Sequence, residues 1–295
     1  MSVPREITLD LDAVRLRALS WGPDPSTDES PLAVLLHGFP DTAHTWRHLG
    51  PVLADAGWRV VAPFTRGYAP SAVPADRSGH VAALVDDAAA IHALLDGGSG
   101  AALVGHDWGA ITANALSAHE DNPYAKVVAM AVPPLGAIRP RPTVLPRQLR
   151  NSWYILYHQL PLLPERFAER EIRRLWADWS PGYDAGEDLP AVMAAIAAPE
   201  HRRAVIGYYR NLVRPFPRVP QRYRCWAGAE MRAPLTPVLV LHGDQDGCMD
   251  PRLVHGVDAG LPPGSALQLV PGAGHFLQLE QPDLVNKLVL EHLST

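Results

Sequence analysis

Apolar and polar positions along this chain follow two rhythms, and the change between them divides it. Residues 6–11 and 14–21 alternate apolar with polar side chains, the two-residue period of an edge hairpin. Residues 23–30 are a polar loop. Residues 31–36 are continuously apolar up to His37, which predicts a strand covered on both faces. Trp46, Leu49, Val52 and Leu53 then share one helical face. Buried strands are expected again at 58–64, 101–104 and 125–132, and an amphipathic helix at 81–95 closes on Gly97 and Gly98. Strand and helix alternating at these spacings predict an α/β fold: a mostly parallel central sheet with helices on both faces.

From Pro133 the rhythm changes. Residues 136 to 232 are rich in proline, tryptophan and arginine, and they give helical periods without strands, at 145–160, 164–179, 189–197 and 201–213. Strands at 236–242 and 266–270 and a helix at 282–293 resume the first pattern. The expected organisation is a core of residues 1–135 and 233–295 with an inserted helical cap, 136–232.

Composition narrows the function classes. The 295 residues, 47% hydrophobic and 19% charged, suit one large α/β domain with an insertion. A net charge of −5 gives no basic footprint for nucleic acid. No apolar run reaches the length of a membrane span, and the first residues do not resemble a signal peptide. Cys225 and Cys248 cannot build a disulfide framework and suit a reducing compartment, so a cytoplasmic location is expected. No Cys/His cluster suggests a metal or an organic cofactor, and none is expected. A homodimer is compatible with the sequence, which does not specify an oligomeric state.

Open parallel sheets place their chemistry beyond the carboxyl ends of the strands. In Gly105-His106-Asp107-Trp108-Gly109, a polar residue stands between glycines where an apolar strand turns into an Ala-rich helix. Such a turn pushes Asp107 above the sheet at a helix N-terminus, the arrangement of a nucleophile elbow. Taken alone, the stretch fits equally well a turn in which Asp107 only caps the helix. Two other strand ends carry chemistry. Leu241-His-Gly-Asp-Gln-Asp246 offers an acid to orient a histidine; Asp246 lies clear of the strand, while Asp244 and Asp250 also suit turn formation or capping. Pro271-Gly-Ala-Gly-His275 returns a histidine, the best placed of thirteen to act as a base, over the sheet edge. Nucleophile, acid and histidine in that chain order are the triad order of α/β-hydrolases. His37-Gly38-Phe39-Pro40 could aim the Phe39 N–H at the point reached by the Trp108 N–H, making an oxyanion hole.

Four motifs carry a resemblance. His-Gly-Phe-Pro-Asp at 37–41, Arg-Gly-Tyr at 66–68, Gly-His-Asp-Trp-Gly at 105–109 and Gly-His-Phe-Leu-Gln-Leu-Glu-Gln-Pro at 274–282 span most of the core. With them the chain resembles the epoxide hydrolases of the α/β-hydrolase fold, the branch with an aspartate nucleophile. The family's two cap tyrosines are matched by Tyr154 in Tyr-Ile-Leu-Tyr-His-Gln and Tyr209 in Tyr-Tyr-Arg-Asn. The resemblance implies that these two phenols donate to the epoxide oxygen, and it puts Tyr157 and Tyr208 beside them. His37, Trp153, Tyr157 and Tyr208 are expected to contact substrate. Trp153, Leu156, Leu160, Leu163 and Trp176 suggest an apolar pocket, and hence a small lipophilic epoxide with water as co-substrate in detoxification or related metabolism.

Haloalkane dehalogenases share Asp-Trp at the elbow, so that alternative rests on the cap. Phe39 stands where an asparagine halide donor would be, although Trp153, Trp176 or Trp179 could supply a second indole. A degenerate hydrolase that only binds ligand is the remaining alternative, and it gives no reason to keep Asp107, Asp246 and His275 together.

Overall fold

A computed structural model describes residues 3–139, 141–214 and 219–294; residues 140 and 215–218 of the expected cap lie outside it. The strands are β1 (Arg5–Asp10), β2 (Arg15–Trp21), β3 (Leu32–Leu36), β4 (Arg59–Pro63), β5 (Ala102–His106), β6 (Lys126–Met130), β7 (Val238–Gly243) and β8 (Ala266–Val270). They form one sheet in the order β1-β2-β4-β3-β5-β6-β7-β8. β1 and β2 pair antiparallel, as does β2 with β4, and all remaining pairs are parallel. The continuous apolar runs become the inner strands: every residue of β3, β4, β5 and β7 is buried. The alternating run at the N-terminus becomes the β1–β2 edge.

The α-helices are α1 (Leu49–Asp55), α2 (Val81–Leu94), α3 (Trp108–Ser117), α4 (Leu145–Asn151), α5 (Trp153–Tyr157), α6 (Leu163–Trp179), α7 (Leu189–Ala195), α8 (Pro199–Val213), α9 (Leu277–Glu280) and α10 (Pro282–Ser294). Between β6 and β7 the regular elements among the described residues are all helical. The helix expected over 145–160 is instead two short ones. Ser152 leaves helical geometry at φ −88°, ψ 15°, and α5 ends three residues before Leu160-Pro161, where a proline disfavours helix in its predecessor.

Buried polar contacts lock the helical segment onto the sheet. Arg66, in the turn after β4, reaches both oxygens of Asp87 on α2 at 2.6 Å. The Arg66 carbonyl accepts from the Tyr208 hydroxyl of α8 at 2.7 Å. At its other end the segment delivers one acceptor to two loops, because the Trp179 carbonyl receives the N–H groups of both Gly247 and His275 at 3.0 Å. Since β3 and β6 flank β5, the turns leaving β3, β5 and β7 open at neighbouring points of one sheet edge.

Candidate active site

Asp107 sits between β5 and α3 at φ 52°, ψ −114°, backbone that a side-chain-bearing residue rarely adopts. The turn closes this tightly because its flanks are bare: a Cβ on Gly105 would strike the Gly109 carbonyl, and one on Gly109 would strike the carbonyl of Leu36. Likewise a Cβ on Gly38 would run into the Asp107 carboxylate. That gap lets the Phe39 N–H donate to Asp107 Oδ1 at 2.7 Å. Trp108 opens α3, so its N–H is among those without an intrahelical acceptor.

His275 connects two carboxylates. Its Nδ1 lies 3.0 Å from Asp246 Oδ2, and its Nε2 stands 3.6 Å from Asp107 Oδ2. Asp246 is wholly buried. Its Oδ1 accepts from the Cys248 and Met249 N–H groups at 2.6 and 3.0 Å. Burial alone would raise this carboxyl, but the His275 charge, its hydrogen bond and these backbone donors hold it below the ordinary range. The two rival acids are engaged elsewhere. Asp244 accepts from the Gly272 N–H at 2.8 Å, and Asp250 pairs with Arg147 and Arg252. Gln148 of α4 braces the acid loop from above, donating to the Cys248 carbonyl at 3.0 Å and accepting from the Asp250 N–H at 2.9 Å.

Burial disfavours a charged His275, yet Asp246 and Asp107 outweigh it and push this imidazole up to about 10. A folded value above the ordinary 6.5 contributes stability that is complete below about pH 6.5 and is lost as pH rises through 10. Thermal unfolding followed from pH 7 to 10.5 should therefore show a falling Tm. A His275→Phe protein should lose that share of the fall, and an unchanged slope would refute the ion pair.

Tyr154 of α5 and Tyr209 of α8 are buried against this centre with ring centroids 5.3 Å apart. The Tyr209 ring meets Phe39 at 5.1 Å and Trp108 at 5.3 Å, both edge-on. Its hydroxyl, though buried, has no hydrogen bond of ordinary geometry among the described residues. The Tyr154 hydroxyl has one soft neighbour, Cys248 Sγ at 3.5 Å. Burial, followed for Tyr209 by the Asp107 charge, holds both phenols well above their ordinary range. They are neutral donors near pH 7.

Other expected contacts are placed differently. His37 spends both nitrogens on its own turn, Nδ1 toward the Gly38 carbonyl at 2.9 Å and Nε2 accepting from the Thr65 N–H at 3.0 Å. Burial pushes it down to about 4, so it is a neutral brace for the turn after β3, with neither ring nitrogen left for the substrate contact expected of it. Tyr208 likewise commits its hydroxyl to Arg66 while packing on Trp108. Trp153 and Tyr157 are not brought to Asp107. Lying four residues apart on α5, they share the neighbouring face and are only half-buried. The Trp153 ring lies under Arg174, and the Tyr157 hydroxyl donates to the Leu163 carbonyl. Trp176 is buried, stacked on Phe276 at 3.6 Å, and donates its N–H to the Pro40 carbonyl at 2.8 Å. Leu156, Leu160 and Leu163, expected to line a pocket, are 72%, 42% and 45% exposed.

Several contributors escaped the sequence. His158 lies one helical turn after Tyr154, and its ring reaches Tyr209 at 4.8 Å and Phe39 at 5.4 Å. Its Nε2 stands 2.8 Å from Glu171 of α6, a pair buried from solvent. The i, i+4 spacing of Tyr154 and His158 was the available signal. His106 supports the base from behind, its Nε2 at 2.9 Å from the His275 carbonyl, and burial drives it down to about 3. Among the described residues, Asp246, Cys248 and His275 bring ligand atoms within 4.8 Å of one another, as a metal site would need. Burial holds the Cys248 thiol well above its ordinary range, and Asp246 already takes two backbone donors and His275. Asp246 and His275 fit a hydrogen-bonded pair, with Cys248 as its neighbour, better than a ligand set.

Known proteins share this fold. The α/β hydrolase fold family matches residues 31–282. Epoxide hydrolase A of Mycobacterium tuberculosis is 33% identical across all of this chain and 98% of its own length. Epoxide hydrolase 3 of Xenopus tropicalis is 28% identical over 90% of this chain and 71% of its own. The crystal structure of epoxide hydrolase A from Mycobacterium thermoresistibile superposes with a TM-score of 0.76 at 26% identity, covering 99% of this chain and 98% of that one. That of an epoxide hydrolase from Vigna radiata gives a TM-score of 0.77 at 23% identity, covering 100% and 99%. With a full-length relative at this identity and its fold in place around Asp107, the chain belongs to the α/β-hydrolase family, in its epoxide hydrolase branch.

Proposed function

We propose that this protein hydrolyses lipophilic epoxides to vicinal diols through a covalent ester on Asp107, beneath a helical cap formed by residues 136–232. The observation that carries the reading is the division of labour between the two Asp107 oxygens. Oδ1 is held by the Phe39 N–H, whereas Oδ2 faces the His275 imidazole. Oδ2 is the nucleophile. It attacks a ring carbon, the carbon–oxygen bond of the epoxide breaks, and Tyr154 and Tyr209 donate to the oxygen released. The ester carbonyl oxygen is then Oδ1, already in its hole.

Esterification also sets up the second step. It removes the negative charge of Asp107, one of the two that hold His275 protonated, and so brings the imidazole down toward neutrality. Neutral His275, oriented by Asp246, takes a proton from water, and the hydroxide adds to Cγ of Asp107. The oxyanion forms on Oδ1, between the Phe39 and Trp108 N–H groups. Collapse breaks the Cγ–Oδ2 bond, and Oδ2 leaves on the diol with the second proton of the water. Asp107 keeps the oxygen of water as a carboxylate, His275 is again protonated, and the proton it gave up on esterification has restored the phenol. Of the three cap indoles that could donate to a halide, Trp176 commits its N–H to the Pro40 carbonyl, which removes one donor that a haloalkane would use.

Isotope labelling tests the route. In a single turnover in H2 18O with enzyme in excess, the diol should contain no label, and the peptide carrying Asp107 should gain one 18O. Label found directly in the diol would mean that water attacks the epoxide itself, and the covalent scheme would be wrong.

A further inference from the structure

The cap's charge and its exposed apolar residues have no role in the chemistry above. Residues 136–232 hold 16 arginines, no lysine and nine acidic residues, a net charge of +7 in a chain of net −5. On α6 the exposed stripe runs Leu162, Leu163, Arg166, Phe167, Arg170, Arg173, at helical spacing along one side. Leu162 is 78% exposed and Phe167 45%. Leu162, at the start of α6, also takes a positive φ of 65°, a conformation leucine resists.

Beside the ridge, Arg166, Phe167, Arg170, Arg173 and Arg202 line a groove of about 520 Å³ that includes one acid, Glu169. Arg166 lies over the Phe167 ring at 5.7 Å, and Arg202 is held by the Glu165 and Ala197 carbonyls. Arg170 and Arg173 have no acidic partner among the described residues. The surface is built rather than frayed, because Arg210 of α8 fastens it from within. Its guanidinium bonds Glu165 at the start of α6 and the carbonyls of His158 and Leu160.

An apolar ridge next to unneutralised arginines fits a bilayer surface, with leucine and phenylalanine entering the acyl boundary while guanidinium groups meet phosphates. A second copy of the chain fits poorly. A two-fold contact sets a patch against itself, so Arg166, Arg170 and Arg173 would face like charges. We propose that the α6 face of the cap docks the protein on an anionic phospholipid surface. No membrane-crossing helix is involved, since none of the described helices is long and apolar enough. A lipophilic substrate is concentrated in such a surface, which would set the cap against its supply. The docking itself does not depend on the catalytic reading.

Co-sedimentation tests this with vesicles of phosphatidylcholine alone and with two-fifths phosphatidylglycerol. The full-length protein should bind the mixed vesicles at low salt, at least about tenfold more weakly in 0.5 M NaCl, and at least about tenfold more weakly to phosphatidylcholine alone. Arg170→Glu/Arg173→Glu and, separately, Leu162→Ser/Phe167→Ser should each weaken binding by about tenfold or more while keeping the wild-type Tm. Absent binding to the mixed vesicles would overturn the proposal, as would variants that bind like wild type. So would a wild-type dimer that Leu162→Ser/Phe167→Ser converts to monomers, which would assign the face to a second copy.

Discussion

The His275→Ala protein, mixed with an epoxide, should gain the mass of the entire epoxide on Asp107 and then stop. Ring opening needs Asp107 Oδ2 and the two phenols, and all three remain in this variant. Hydrolysis of the ester needs a base at Nε2, and among the described residues no other imidazole nitrogen lies within 4 Å of the Asp107 carboxylate. His106 turns its Nε2 to the His275 carbonyl and His37 has both nitrogens engaged. The loss in kcat should be on the order of 10^4-fold, as for removal of a triad base. Intact mass spectrometry and peptide mapping read the result. If the variant stays unmodified under conditions where wild type turns over, His275 is not the base of the second step.

The second large effect is expected from Tyr154→Phe/Tyr209→Phe. Removing both phenols takes away the neutral hydrogen-bond donors proposed to stabilise the departing alkoxide in a buried site, and ring opening should slow by roughly 10^3-fold or more. Here no ester accumulates, because the first step is the one that fails. The substitution is mild structurally: the Tyr209 hydroxyl has no good hydrogen bond to lose, and that of Tyr154 meets only a thiol. The variant's Tm should stay close to wild type, so a loss of turnover reports chemistry. Near-normal epoxide turnover by this protein would remove the tyrosines from the mechanism. Combining the double variant with His275→Ala orders the steps, since the triple protein should lose the adduct seen with His275→Ala alone.

Local pattern carried much of this structure. Strand positions were legible because a strand buried on both faces needs an unbroken apolar run, as in β3 and β7. The elbow was legible because only glycine fits at 105 and 109. Loops that begin at strand ends could be matched to the triad because the sheet gathers those ends on one edge. The chain order nucleophile, acid, histidine needed no coordinates.

Tertiary structure decided what depends on which way a side chain turns. A short helix can present only one stripe to the core, so the break at Ser152 gave the inner face to Tyr154, and to His158 just beyond α5, and left Trp153 and Tyr157 half-buried on the neighbouring face. Composition could not reveal this, because aromatic residues occupy both faces. It also could not separate a leucine that lines a pocket from one that faces solvent, and Leu156, Leu160 and Leu163 proved to be outside. Pairing of Asp246 rather than Asp244 with His275 likewise depended on a loop, one anchored by the Trp179 carbonyl from a helix 67 residues earlier in the chain. Sequence determined the elements and the chemical inventory because both are written in neighbouring residues. The side chains that meet at Asp107 were settled by long-range packing, whose partners no local period encodes.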